Sequence, residues 1–202
     1  KTGVTGSHLF KKNGTHKNFK KDGIMIHHKI KIPFLSDTKK SIINFFSHGV
    51  IKFGKIFSNE KFDAIIVLGD RYEIYSAVIS ASFYKIPIIH LSGGETTVTL
   101  QGNGYGGRNT EFMLSMAKKL NGIEGIYGLA IDTDGIDGNM DNAGSFISPK
   151  TILKANERKL NLDNFLQKND SYTFFKKIND LIITKPTLTN VNDFRAILIL
   201  PS

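Results

Sequence analysis

The amino-acid sequence predicts an α/β protein whose first half is a parallel β/α segment. Short apolar runs bounded by Gly, Pro, Asp or Lys alternate with stretches whose apolar residues recur at helical spacing. One run, Ala64–Leu68, is apolar at every position, as in a strand covered on both faces. Strands that alternate with helices join as βαβ units, and such units run parallel.

Taken in order, strands are expected at Thr2–Thr5, Ile24–Ile32, Ala64–Leu68 and Ile86–Leu91. Helices are expected over Ser41–Phe57, where Ile42, Phe45, Phe46, Gly49, Val50, Phe53 and Ile56 share one stripe, and over Tyr72–Tyr84. The second half continues with a helix at Asn109–Leu120 and a buried strand at Ile126–Ile131. Helices follow at Pro149–Lys159, Asn161–Gln167 and Ser171–Ile178, and strands at Leu181–Thr184 and Ala196–Leu200 close the chain.

Composition narrows the function classes. With 202 residues and 40% hydrophobic content, a sizeable core is affordable. The absence of cysteine excludes a disulfide scaffold, a thiolate nucleophile and a cysteine zinc site, and fits a reducing cytoplasm. No run of about 18 apolar residues and no signal-peptide core is present, so a soluble, cytoplasmic protein without a membrane partner is expected. The chain does not begin with Met, and a natural start upstream is compatible with that. The net charge of +9 is confined to the first half: residues 1–94 hold 15 Lys/Arg against 6 Asp/Glu, and residues 95–202 hold 12 against 12. These lysines are scattered among strands and loops with no interleaved aromatic pattern, which argues for a solvated surface rather than a nucleic-acid site.

Two constellations carry chemistry. In the first, Gly69-Asp70 ends one strand and His90-Leu91-Ser92-Gly93-Gly94-Glu95 ends the next, so that Asp70, His90 and Glu95 could share one rim for proton transfer. Asp70 could equally cap the helix that follows. In the second, Gln101-Gly102-Asn103-Gly104-Tyr105-Gly106-Gly107-Arg108 stands directly before a helix. Gly102, Gly104, Gly106 and Gly107 could cradle phosphate with backbone N–H groups while Arg108 supplies a guanidinium fork, or the loop could be a plain glycine turn. Asp132-Thr133-Asp134-Gly135-Ile136-Asp137-Gly138 follows a strand and could bind Mg²⁺ or a polar substrate. An EF-hand is excluded, because Ile136 takes the fifth ligand position. Thr187-Leu188-Thr189-Asn190-Val191-Asn192-Asp193 reads as a hairpin loop rich in hydrogen-bonding side chains.

Residues 1 to about 97 resemble the hydrolysing UDP-N-acetylglucosamine 2-epimerases through Val4-Thr5-Gly6-Ser7-His8-Leu9, Lys21-Asp22-Gly23, Ser36-Asp37-Thr38, Val67-Leu68-Gly69-Asp70-Arg71-Tyr72-Glu73 and His90 with Gly93-Gly94-Glu95. The resemblance implies a Rossmann-like segment over 1–92, with Asp70 and Glu95 in acid/base chemistry and His90 at a nucleotide-sugar substrate. It also implies that this family's first strand and helix and its nucleotide-binding second domain are not among these residues.

Residues from about 91 onward resemble the C-terminal MOFRL domain of the glycerate 2-kinases, also known as hydroxypyruvate reductases. The matching strings are Leu91-Ser92-Gly93-Gly94-Glu95-Thr96-Thr97-Val98, the glycine loop through Arg108-Asn109, Thr133-Asp134-Gly135 with Asp137-Gly138, Asn169-Asp170-Ser171-Tyr172, and Pro186-Thr187 with Thr189-Asn190-Val191-Asn192-Asp193. This implies an α/β MOFRL-type domain with a mixed sheet over 93–202, and transfer of the ATP γ-phosphoryl group to the 2-hydroxyl of D-glycerate. Arg108 would be catalytic, the four glycines would bind phosphate, and Asp134, Asp137, Asn190 and Asp193 would contact substrate. ATP and Mg²⁺ are expected by resemblance, with metal ligands unknown. Thr110 stands where the family has Gln, Leu188 stands where Gly is common, and the kinase N-terminal domain with its catalytic lysine is not matched.

The chain passes between the two resemblances inside Gly93-Gly94-Glu95-Thr96-Thr97, a string both families share. A natural fusion, an engineered chimera and a sequence-assembly junction stay open, and one sequencing read across the codons for residues 80–110 decides whether the join exists in a genome. The expectation is a glycerate 2-kinase-type phosphotransferase module for a small-molecule substrate, inactive by itself. A 2-epimerase fragment and a catalytically silent chimeric or binding module are the alternatives, and a homo-oligomer stays open.

Overall fold

The computed structural model describes residues 1–5, 9, 19, 21–32, 38–69, 72–94 and 97–201. Asp70 and Glu95, two of the expected catalytic residues, lie outside the described residues. The chain is α/β and divides into two compact units, Lys1–Pro87 and Ile88–Ser202. Among the described residues no helix is long and apolar enough to cross a membrane.

In the first unit, β1 (Gly3–Thr5) pairs in parallel with β2 (His28–Ile30), Val4 facing Lys29 in register. The helix α1 (Lys39–Asn59) starts at Thr38, whose hydroxyl accepts the N–H of Ser41 at 3.3 Å and so satisfies one free donor of the first turn. β3 (Ile65–Leu68) and α2 (Tyr72–Phe83) follow. The two helices approach closely because the contact is made of small residues. A Cβ on Gly49 would sit 2.5 Å from Ser76 Oγ, and the hydroxyls of Ser76 and Ser80 donate to the carbonyls of Phe46 (3.2 Å) and Val50 (2.9 Å). Ile30, Ile32 and Phe45 form a buried cluster with Phe53 and Ile56 against it. The expectation that Ala64–Leu68 is covered on both faces is corrected. Val67 is buried, but Ile66 and Leu68 are 68% and 72% exposed, so this strand has only one covered face.

The second unit holds, in chain order, β4 (Ile88–Gly93), α3 (Arg108–Leu120), β5 (Ile126–Asp132), β6 (Gly144–Ile147), α4 (Thr151–Glu157), α5 (Leu162–Gln167), α6 (Ser171–Ile178), β7 (Leu181–Ile182) and β8 (Asp193–Ile199). Its strands lie in the order β4-β8-β5-β6-β7, and each of these neighbours is antiparallel. The core is built on α3, whose Met113, Leu114 and Ala117 pack with Ala130, Ile147, Ala155, Ile178 and the paired rings of Phe174 and Phe175. Burying the Met, Leu, Ile and Phe side chains among these stabilises by about 1.5–3 kcal/mol each.

The expected strand at Ile24–Ile32 is shorter, His28–Ile30, and in the second unit β6 and β8 depart furthest from the sequence reading. β6 has no expected counterpart, because its pattern is inverted: Ser145 is buried while Phe146 faces outward beneath the ammonium of Lys154, 5.7 Å from the ring centre. Gly144 opens it, since a Cβ there would stand 1.9 Å from the carbonyl oxygen of Ala130 on the neighbouring strand. β8 begins at Asp193, three residues earlier than expected, so Asp193 is a strand residue and not part of a hairpin loop.

Candidate functional site

The second unit's charged centre follows from strand register. Asp132, the last residue of β5, stands directly opposite Asp193, the first of β8. Like charges facing each other across a ladder destabilise it unless a cation lies between them. That cation is Arg108, the first residue of α3. Its Nε donates to both carboxylate oxygens of Asp193 at 2.9 and 3.0 Å, and its Nη2 donates to Asp132 at 2.5 Å. Arg195, next but one along β8, adds a second guanidinium. It donates to Asp193 at 3.0 Å and to the carbonyl of Gly94 at 3.4 Å, and it lies over the ring of Phe112 at 4.9 Å. The side-chain amide of Asn109 completes the shell of Asp193 at 2.9 Å. Asp193 is therefore buried with donors from three residues, whereas about a third of the Arg108 side chain (32%) stays exposed. Burial pushes the Asp132 carboxyl above the ordinary aspartate range; the N–H of Asp134 and the charge of Arg108 oppose that shift.

Asp137 reaches the same helix from another direction. One carboxylate oxygen accepts the N–H of Asn109 at 2.9 Å, and the other accepts the N–H of Thr110 at 2.8 Å and its hydroxyl at 2.9 Å. These are the free donors of α3's first turn, so Asp137 caps the helix from 27 residues away in sequence. Gly107 occupies the N-cap itself, and a Cβ there would lie 2.3 Å from Asp137 Oδ1. Glycine is needed so that the carboxylate can enter. Asp137 is wholly buried, and its own N–H is held by the carbonyl of Asn142 at 2.7 Å.

The glycine loop is engaged inwardly in the same way. The N–H groups of Gln101 and Gly102 donate to Asn169 Oδ1 at 2.7 and 2.9 Å. That of Gly104 donates to the carbonyl of Lys168 at 2.7 Å, that of Tyr105 to Asp170 at 2.9 Å, and that of Gly107 to the hydroxyl of Thr110 at 3.1 Å. A Cβ on Gly102, Gly104 or Gly106 would fall 2.3 to 2.5 Å from Lys168, Asp170 or Ser171. These glycines let the loop lie directly on the α5–α6 turn.

The remaining expected residues are spread around this centre. Asp134 is half-buried, and its carboxylate accepts the N–H of Ile136 at 2.8 Å in a local turn. Asn190 is exposed and closes a similar turn onto the N–H of Asn192 at 3.1 Å. Residues 187–192 are tied back to the Asp134 loop: the hydroxyl of Thr133 donates to the carbonyl of Asn192 at 2.7 Å and accepts the N–H of Val191 at 2.9 Å. His90 is placed elsewhere. It is mid-strand in β4, opposite Ile197, four residues along β8 from Asp193 and so about 13 Å away. Sequence reasoning missed Arg195, two residues beyond Asp193, and Glu111, which is half-buried beside Asn169 (3.1 Å) and raised by burial above the usual carboxylate range. Among the described residues no group of three metal-ligating side chains is disposed to hold a metal ion, and the carboxylates of the centre already face arginine.

Comparison with known proteins places these observations. The family model described as MOFRL family matches residues 88–193, and that of UDP-N-acetylglucosamine 2-epimerase matches residues 1–101. Both cover residues 88–101. A provisionally named hydroxypyruvate reductase of Agrobacterium vitis is 52% identical over 115 residues, which are 56% of this chain and 26% of that protein. The D-glycerate 2-kinase of Thermotoga maritima is 45% identical over 109 residues, 54% of this chain and 26% of the kinase. The chain thus spans about a quarter of the length of these curated relatives. A solved glycerate kinase from Thermotoga maritima superposes with a TM-score of 0.57 at 31% identity, covering 88% of this chain and 42% of that one. The chain therefore belongs to the MOFRL family through residues 88–193, as a glycerate kinase-type module, and to the UDP-N-acetylglucosamine 2-epimerase family through residues 1–101.

Proposed function

We propose that residues 88–202 are the substrate-orienting part of a phosphotransferase that moves the γ-phosphoryl group of ATP to the 2-hydroxyl of D-glycerate. The observation that carries this reading is Arg108. Its guanidinium is held by Asp193 on one edge and Asp132 on the other, while a third of the side chain remains open. A cation so fixed needs no reorganisation when a carboxylate or phosphoryl oxygen arrives, which is how preorganised charge lowers a barrier. The Thr133–Asp134 and Asn190–Asn192 turns flank it and supply polar groups for a small hydroxy acid. ATP, when bound, supplies the phosphoryl group, and Mg²⁺ would offset the charge of its phosphates.

The test is to incubate the chain with D-glycerate, ATP and Mg²⁺, follow 2-phosphoglycerate, and titrate D-glycerate alone by amide NMR. D-glycerate shifting the amides of residues 132–136 in the native chain, with loss of the effect in Arg108→Met, supports the reading. Product formation extends it to catalysis, and absence of both effects rejects it. A second reading, a 2-epimerase fragment, rests on the family match of residues 1–101, and release of UDP from UDP-N-acetylglucosamine tests it. Anion binding with neither product marks a catalytically silent binding module.

A further inference from the structure

We infer that Asp137 is a built-in anion, occupying the position at the N-terminus of α3 that a glycine-rich loop before a helix offers to a nucleotide phosphate, so that this loop does not receive phosphate in the folded chain. The inference is independent of the phosphotransferase reading: it states where phosphate does not bind, whatever the reaction.

Three observations converge on it. First, the donors are taken. The N–H groups of Asn109 and Thr110 and the Thr110 hydroxyl point at the two oxygens of one carboxylate, the donor set that an anion at a helix start collects. Second, the space is filled. Asp137 Oδ1 lies where a side chain on Gly107 would begin, and on the far side a Cβ on Gly138 would meet Gly106 O and Gly107 Cα at 3.1 Å. The two glycine turns press on each other with the carboxylate between them, and its backbone is pinned by Asn142. Third, the charge is already supplied. Asp132 and Asp193 face Arg108 and Arg195, and Asp137 shares the Asn109 side-chain amide with Asp193, so a phosphate dianion would enter a centre that already holds three carboxylates against two guanidinium groups.

Removing the internal anion should open the site to an external one. Inorganic phosphate is titrated into the native chain and into Asp137→Ala, following the amides of Gly104, Gly106, Gly107, Asn109 and Thr110. In the native chain these amides are expected to stay unshifted. In Asp137→Ala they shift saturably with phosphate, and Tm rises by at least about 4 °C on phosphate addition but not on chloride at equal ionic strength. Should Asp137→Ala be unfolded in chloride, refolding in phosphate is the expected result. Saturable shifts of these amides in the native chain would overturn the inference. So would an Asp137→Ala chain that gains nothing from phosphate, whether it starts folded or unfolded. Kinase activity in either protein leaves these readouts unaffected, so this inference and the proposed function fail separately.

Discussion

Replacing Arg108 with Met keeps most of the side-chain volume and removes the charge that separates Asp132 from Asp193. Breaking a buried ion pair by deleting one partner costs about 3–5 kcal/mol, because the other charge is left uncompensated. Arg108 is a third exposed, and Asp193 keeps Arg195 and Asn109 as donors, so the cost falls to or below the bottom of that range, about 2–3 kcal/mol. For a unit of this size that is a Tm decrease of roughly 8–12 °C, at about 4 °C per kcal/mol. Thermal unfolding by circular dichroism, supported by amide exchange on β5 and β8, measures it. The loss should depend on pH with a definite sign. Asp132 is raised by burial, and Arg108 pulls it down. Without Arg108 the folded protein holds that proton still more tightly than the unfolded chain does. The variant therefore recovers stability as pH falls from the raised folded value toward the ordinary aspartate value near 3.9. A deficit that is as large near pH 4 as near pH 7.5, or smaller than about 1 kcal/mol at both, would show that the arginine serves packing rather than charge separation and would refute the reasoning.

Three further outcomes follow from single contacts. Gly144→Ala drives a Cβ into a backbone oxygen 1.9 Å away, so loss of dispersed amide signals or a stability decrease of about 3 kcal/mol is expected; wild-type stability would mean that β6 does not sit against Ala130. Leu188 is 98% exposed with φ of 60°, in the left-handed region, so Leu188→Gly should raise stability by about 0.5–1 kcal/mol in denaturant titrations, against an expected decrease if this side chain packs on anything. Asp180 is fully buried with Lys154 at 2.5 Å, and burial raises its pKa despite that partner. Lys154→Met should therefore cost about 3 kcal/mol near neutral pH and less as pH falls through the raised Asp180 value, because protonation removes the uncompensated charge; equal loss at both ends of a pH series of melts would contradict this.

Where side-chain periodicity agreed with burial, the sequence sufficed. α6 spans Ser171–Ile178 as expected, since Tyr172, Phe174, Phe175 and Ile178 form one buried stripe. β6 escaped notice because its inward residue is a serine and its outward residue a phenylalanine. The apolar run at Ala64–Leu68 misled in the opposite sense: hydrophobicity at every position shows what a strand tolerates, not that both faces have a neighbour. In the charged centre, Arg108 and Asp137 could be named from their motifs and Asp193 from the family resemblance, but their pairing could not. The link between Asp132 and Asp193 depends on a strand register spanning 61 residues, and the capping of α3 by Asp137 leaves no local mark except a glycine at the N-cap. Glycines before a helix look alike whether they admit a ligand's phosphate or the protein's own carboxylate.

β4 bonds to β8 along its whole length, from Ile88 opposite Ile199 to Gly93 opposite Phe194, and it lies within the stretch claimed by both families. A ladder of this kind reads backbone, asking of the incoming strand only an apolar alternation and a glycine to turn on. Such a segment is a neutral crossover point: exchanging everything upstream of it leaves every rung of the ladder in place. It is where two unrelated ancestries could meet with the least disturbance to the sheet that receives them.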